Sequence, residues 1–424
     1  MKRNGRALAL LLALFMAVAC AGCVSSGAEG LYALPQMSDE YLQLEQLIAT
    51  RIRDGSEYAA PIAGSNRQSV QLRDLDGDGE PEAIAFLADS GHTPTVCVYR
   101  RNGAGDFYLY VIIGGEGSAV SSVEYADLTG DGAAEVVIAW QISGELRLLS
   151  VYSLKPDFQT ELMSAGCSEF FVSDLDGDGI EDLLNLSVDY AGASSLLRYT
   201  FDAEGNPGSY EARLSVGITE VLRSRMGRLA DGAAALFVES RWGGEELVTD
   251  VFTADGGLSN VTLTPIGWSN TLRAGEAFAE DINGDRVMEI PEGAADILDW
   301  FAFDSAGNKT RVMTTCHDYE DGWYLALPES VSAEGLRVLM DRTVPGEAAA
   351  ALLQETDSGE TETLLTVYTL TGENRMDRAS AGGRFVLRQN ETTVFAAELS
   401  TSELTAEDVS ENFNLIYPDW QVSF

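Results

Sequence analysis

Asp74-Leu75-Asp76-Gly77-Asp78-Gly79, closing on Glu82, is the stretch whose reading decides the fold. Four further segments align with it: Asp127-Leu128-Thr129-Gly130-Asp131-Gly132, Asp174-Leu175-Asp176-Gly177-Asp178-Gly179, Gly227-Arg228-Leu229-Ala230-Asp231-Gly232 and Asp281-Ile282-Asn283-Gly284-Asp285-Arg286. Their first residues stand 53, 47, 53 and 54 positions apart. A near-constant period of this size means one supersecondary unit repeated. Around the first loop the chain alternates as β over Ser69 to Arg73, Ala83 to Leu87, Thr95 to Arg100 and Phe107 to Ile113, giving four strands per repeat. The expected fold is therefore mainly β: a propeller of about five four-stranded blades, a closed ring that leaves no long free edges. A solenoid of stacked repeats is the alternative.

Within each intact loop, oxygen-bearing side chains fall at positions 1, 3, 5 and 9, and position 7 offers its backbone carbonyl. Calcium takes roughly six to eight hard oxygens from a loop that curls around it. The first loop supplies Asp74, Asp76, Asp78, Glu82 and the carbonyl of Glu80; the third supplies Asp174, Asp176, Asp178, Asp182 and the carbonyl of Ile180. The second has Asp127, Thr129, Asp131, Glu135 and the Ala133 carbonyl, with a hydroxyl in place of one carboxylate. The last has Asp281, Asn283, Asp285, Glu289 and the Val287 carbonyl, but Arg286 stands where glycine is expected, so a left-handed residue there is strained and a cation sits near the metal. The loop at Gly227 keeps only Asp231 and Gly232 and reads as metal-free. Two strong calcium sites, and up to four in all, are expected. Asx turns closing plain hairpins are the alternative, but three or four carboxylates within a few ångströms repel without a cation.

These loops, with the leads Ser69-Val70-Gln71-Leu72-Arg73 and Glu169-Phe170-Phe171-Val172-Ser173 and the exits Glu82-Ala83-Ile84-Ala85 and Asp182-Leu183-Leu184, resemble FG-GAP/VCBS repeats, the units of integrin α-subunit propellers. An EF-hand is a poorer likeness, because strands rather than helices flank the loops and position 12 is Ala85, Ile138 and Asn185 in the first three. The chain also resembles clostridial VCBS-repeat lipoproteins of unassigned function, through Leu31-Tyr32-Ala33-Leu34-Pro35, the stretch from Ala60 to Val70, and Leu370-Thr371-Gly372-Glu373-Asn374-Arg375.

The start of the chain reads as an export signal: Lys2, Arg3 and Arg6 precede an apolar run from Ala7 to Ala19, too short to span a bilayer core of about 30 Å. Ala19-Cys20-Ala21-Gly22-Cys23 resembles the lipobox of bacterial lipoproteins, which implies acylation of Cys23, with Cys20 as the alternative, and anchorage on the outer face of the cytoplasmic membrane. The organisation expected is a signal peptide over 1–22, a lipidated tether and amphipathic helix over 23–60, the repeat domain over 61–315, and an α+β domain over 316–424. In the helix, Tyr41, Leu44, Ile48 and Ile52 recur at helical spacing behind a Ser38 cap.

Sixty-seven acidic against 27 basic side chains, a net charge of -40, excludes nucleic acid as a partner. The wide spacing of Cys97, Cys167 and Cys316 implies buried free thiols rather than a disulfide framework. His92 and His317 lack zinc-ligand spacing and are expected in loops or at the surface. No nucleophile elbow, phosphate loop or dinucleotide fingerprint appears. The function expected is a non-catalytic binding or adhesion module for a protein or glycan. An envelope polysaccharide hydrolase or lyase, and an assembly or sensory partner of another envelope protein, are the alternatives. Trp242, Trp268, Trp300 and Trp323 are read as core aromatics in preference to sugar platforms.

Overall fold

The computed structural model describes residues 39–416 except 145, 156–157, 190–193, 245, 274–276, 295, 329–330, 332–334, 356–358 and 403. The leader, both lipobox cysteines, the tether and Ser38 lie outside the described residues. The helix opens at Asp39 and runs to Arg53. It buries Leu44 and Ile48, one turn apart, against Ala83, Ala85, Leu87, Cys97 and Tyr99 on one face of the first sheet.

Strands then follow in antiparallel order. The first sheet holds Val70–Arg73, Glu82–Ala88, Pro94–Arg101 and Phe107–Gly114, with the short Glu57–Tyr58 pairing on the same edge as Val70–Arg73. The second holds Ala119–Ala126, Glu135–Gln141, Arg147–Lys155 and Phe158–Cys167; the third holds Glu169–Ser173, Asp182–Ser187, Ser195–Phe201 and Pro207–Arg213. The fourth holds Ile218–Arg228, Ala234–Trp242, Glu246–Thr253 and Ser259–Asn260. In the fifth, the leading strand shrinks to a single bridge between Glu280 and Glu289. Glu289–Ala294, Ile297–Phe303, Lys309–Asp318 and Trp323–Leu327 follow, and Phe413–Leu415 joins the far edge.

A sixth sheet is built from Leu336–Asp341, Glu347–Glu355, Thr361–Thr371, Thr393–Leu399 and Phe385–Gln389, in that spatial order. The helices Arg375–Ala379 and Ala406–Asn412 accompany it, and Thr405 caps the second in a reciprocal box with Asp408. The expected boundary at residue 316 falls inside Lys309–Asp318. The sixth sheet shares one core with the fifth, through Trp323, Leu325 and Phe413 on one side and Leu352, Val367 and Phe395 on the other.

Neighbouring sheets pack face to face, and this is why their second strands are buried on both faces. Phe86 and Val98 of the first sheet meet Val136, Ile138 and Trp140 of the second. Val137 and Val151 meet Leu183 and Phe201, Leu184 and Leu196 meet Leu236 and Val248, and Phe237 and Val251 meet Ile290 and Phe303. On the first sheet, the helix Asp39–Arg53 covers the face that a closing blade would cover. Cys97, Cys167 and Cys316 are buried free thiols. Burial pushes Cys167 up to about 11 and raises Cys97 and Cys316 as well.

The repeats also lean on one another in a constant sense. In the second to fifth units, the end of the sheet at which the third strand gives way to the fourth comes down beside the acidic loop, or the cation serving it, in the preceding unit. Arg100 donates to the Leu154 carbonyl at 2.8 Å and Arg198 to the Gly257 carbonyl at 3.3 Å. Ser305 N–H donates to Asp231 at 2.9 Å, while Ala203, Glu204 and Gly205 face Thr129 and Lys155 across a small cleft.

Candidate metal centres in the hairpin loops

The acidic loops join the first strand of each unit to the second. In the first, Asp74 folds the chain back by accepting the N–H groups of Gly77 at 2.8 Å and Gly79 at 2.9 Å, and Asp78 accepts that of Glu80 at 2.7 Å. Gly77 and Gly79 adopt φ of 75° and 88°, a backbone that a Cβ opposes. The third loop repeats this: Asp174 accepts from Gly177 at 2.7 Å and Gly179 at 3.0 Å, and Asp178 from Ile180 at 2.8 Å. The curl brings one carboxylate oxygen each from Asp74, Asp76 and Asp78 within 4.8 Å of one another, and likewise from Asp174, Asp176 and Asp178. Either triad could hold a metal ion.

The acid at position 9 locks the loop from beneath. Glu82, Glu135, Asp182 and Glu289 accept the N–H of Leu75, Leu128, Leu175 and Ile282 at 2.8, 3.0, 3.1 and 3.1 Å. The apolar residue at position 2 is buried beside it, so the lock is dry. Burial lifts Glu82 and Glu289 from the ordinary carboxylate range to about 7, and raises Glu135 and Asp182 in the same direction. In Asp182 the other oxygen, Oδ1, is taken by Arg198 at 2.8 Å, whereas in Glu135 Oε1 is buried with no hydrogen-bond partner among the described residues. In Glu289, Oε1 is buried with no hydrogen-bond partner among the described residues, an arrangement that suits a cation.

Three of these loops have a basic side chain on the third strand that reading the loop motif alone does not reveal. Arg100 reaches Asp76 at 3.1 Å and lies 3.9 Å from Glu82. Arg198 reaches Asp182 at 2.8 Å and also pairs with Asp176. Lys155 pairs with Asp131, and despite the cost of burial this ammonium holds the Asp131 carboxyl below its usual range. The second loop thus contains Asp127, Asp131 and Glu135 as expected, with an internal cation beside them. In the last loop Arg286 takes φ 75°, the left-handed position, and its N–H donates to Asp281 at 2.9 Å; Asn283 and Asp285 bond each other at 3.0 Å. In the fourth unit Ala235 replaces the position-9 acid, and Asp231 is spent on the N–H groups of Ser305 and Ala233.

A second repeated turn joins the third strand to the fourth in three of the units. Asn102, Asp202 and Asp304 each accept two N–H groups, from the residues two and four places on, and each turn carries a glycine at φ 80° to 87°. The signal is Asn/Asp-x-x-Gly-Asn/Asp at 102, 202 and 304. His317 also departs from expectation. It is buried, stacked between Tyr319 and Tyr324 at 5.1 and 5.4 Å, and burial depresses it to about 3. His92 is exposed in a turn beside Glu57. Trp300 and Trp323 are core residues, whereas Trp268 is exposed and stands 5.7 Å from Trp242.

Residues 74–138 match the family model described as an FG-GAP-like repeat. The FG-GAP span takes in the first two loops with the strands between them, and the third loop repeats the hydrogen bonding of the first. No curated protein matches the chain. Among solved structures the chain is similar to the exotype rhamnogalacturonan lyase YesX, at 12% identity over 81% of this chain and 72% of that one, with a TM-score of 0.31. It is similar also to Sqt1 from Chaetomium thermophilum, at 10% identity over 79% and 97%, with a TM-score of 0.32. At these TM-scores neither likeness bears on function.

Proposed function

We propose that the chain is a calcium-binding, propeller-like module, lipid-anchored through Cys23 on the outer face of a bacterial cytoplasmic membrane, that binds a protein or glycan without turning it over. The observation that carries the reading is the pair of aspartate triads, Asp74/Asp76/Asp78 and Asp174/Asp176/Asp178, at the same place in two repeats. Three carboxylates, a position-7 carbonyl and a locked position-9 acid form an all-oxygen donor set of the kind calcium takes. Bound there, calcium would neutralise the triads and stiffen the hairpins. The buried acids Glu239 and Glu280 are no stand-in for a hydrolytic pair, since Arg223 bridges them at 2.7 Å on each side and Arg273 holds Glu239 again.

The test is calorimetric titration of the purified protein with calcium and with magnesium, alongside melting in each. Saturable calcium binding that raises the melting temperature supports the reading, and an unchanged curve overturns it. Magnesium should do little, because it demands a smaller octahedral shell. For the anchor, Cys23→Ser should move the protein out of the membrane fraction; no change would leave Cys20 as the acylated residue.

A further inference from the structure

The ends of the sheets away from the acidic loops enclose a cleft of about 950 Å³, lined among others by Arg147, Ser168, Glu169, Ser187, Thr219 and Glu220. Arg147 begins a third strand, Ser168 and Glu169 lead into a first strand, Ser187 ends a second, and Thr219 and Glu220 begin a first. In an antiparallel meander all of these positions share one end, and the first-to-second-strand turns occupy the other. The cleft and the metal loops are therefore separate sites on opposite ends of the same sheets.

Its chemistry is mixed and balanced. Arg147 spends one nitrogen on the Ser168 carbonyl, while its buried Nε has no hydrogen-bond partner among the described residues. Glu220 pairs with Arg241 at 3.4 Å, while Glu169 brings a second carboxylate to the lining. Thr219 donates to the Arg241 carbonyl at 3.3 Å, and the register pairs Ile218 with Trp242. That pairing joins the cleft wall to an apolar shelf. Trp242 and Trp268 stand edge to face, and Val216 (62% exposed), Ile266 (69%) and Trp268 (38%) lie open to solvent. Trp242 Nε1 anchors the shelf by donating to the Val216 carbonyl at 2.8 Å.

We propose that cleft and shelf together bind a neutral oligosaccharide, an inference that rests on the binding-module reading and names its ligand. Sugar hydroxyls both donate and accept, as the wall of arginine, hydroxyl and carboxylate groups requires, and the C–H faces of a pyranose fit an aromatic shelf. The volume lies within the usual range for ligand clefts, about 300 to 1,000 Å³. A polyanionic glycan is disfavoured by the net charge of -40.

The test is titration of the full-length protein, with calcium present, against cellohexaose, xylohexaose, mannohexaose and hexagalacturonate, following tryptophan fluorescence and heat. At least one neutral hexasaccharide should bind and shift the emission. Trp268→Ala should weaken it at least tenfold with an unchanged melting temperature, and Glu220→Gln should weaken it as well. Absence of neutral-sugar binding, preference for hexagalacturonate, or binding indifferent to Trp268→Ala overturns the proposal. Calcium-dependent melting, measured in parallel, keeps the two readings apart: a protein stabilised by calcium that binds no neutral sugar loses only this inference.

Discussion

Arg198 and Asp182 face each other across the third loop, guanidinium Nε to carboxylate Oδ1 at 2.8 Å, with both side chains almost fully buried. The arginine supplies inside the protein the positive charge that a metal ion would otherwise bring. A cation held so close opposes a second one by Coulomb repulsion, while stabilising the carboxylates when no ion is bound. Arg198→Gln should therefore lower the melting temperature in chelator and tighten calcium at this loop by roughly tenfold, about 1.4 kcal/mol. Calcium titration of variant and wild type checks it; identical affinities would mean that the arginine does not compete.

Calcium itself should contribute about 2.7 kcal/mol per site at 100 times its dissociation constant, if the ion binds only the folded state. Asp76→Ala and Asp176→Ala should each remove most of one such increment. Denaturation midpoints with and without calcium provide the measurement, and an increment that survives Asp176→Ala would exclude the third loop.

Asp231→Ala gives a contrasting result. Its loop reads as metal-free, which from the sequence suggests almost no effect. The hydrogen bond from Ser305 N–H alters that expectation: deleting a charged acceptor shared between units should cost about 1 to 2 kcal/mol. The loss should be the same with calcium or chelator, and a loss confined to calcium buffer would place an ion at Asp231 after all.

His317 provides a pH dependence with a defined sign. Burial lowers it from 6.5 to about 3, so below 6.5 the unfolded chain binds a proton that the folded chain refuses. Its contribution to stability is complete above pH 6.5 and is lost progressively as the pH falls towards 3. At pH 5 the loss is about 2 kcal/mol. His317→Gln should flatten the stability profile between pH 7 and 5, and an unaltered slope would show that the ring is protonated in place.

Arg286→Gly tests the strained loop. A left-handed backbone at a residue with a Cβ costs roughly 1 kcal/mol, offset in part by the greater freedom of glycine when unfolded. The change also removes a cation from the mouth of the loop. A rise in melting temperature of a few degrees in calcium is expected, and a fall would mean that the Arg286 side chain makes a contact worth more than the strain.

Much of this architecture is legible in the chain because its signals are local. Asp-x-Asp-x-Asp-Gly marks the loops, and the β stretches read around the first of them, Ser69 to Arg73, Ala83 to Leu87, Thr95 to Arg100 and Phe107 to Ile113, end within one residue of the strands. The position-9 lock was hidden, since its partner is a main-chain N–H that leaves no trace in residue type. Arg100, Lys155 and Arg198 stand 26, 28 and 24 residues beyond the first residue of their loops, and that drift blurs a repeat that tertiary contact makes plain. His317 looks polar in sequence, yet Tyr319 and Tyr324 enclose it. Trp268 is the same residue type as the core Trp300 and Trp323, and only packing leaves it exposed.

The turn of each unit that rests beside the acidic loop of the unit before it gives the array a direction. In the first four units the loop, or the cation serving it, is met by a hairpin that lies downstream in the chain. A polypeptide lengthening from its amino terminus therefore carries an unfinished loop at its growing edge, and closes it only when the next hairpin arrives. Trimming from the carboxyl end should uncover the loops one at a time in reverse order, whereas trimming from the amino end leaves every surviving loop with its neighbour in place.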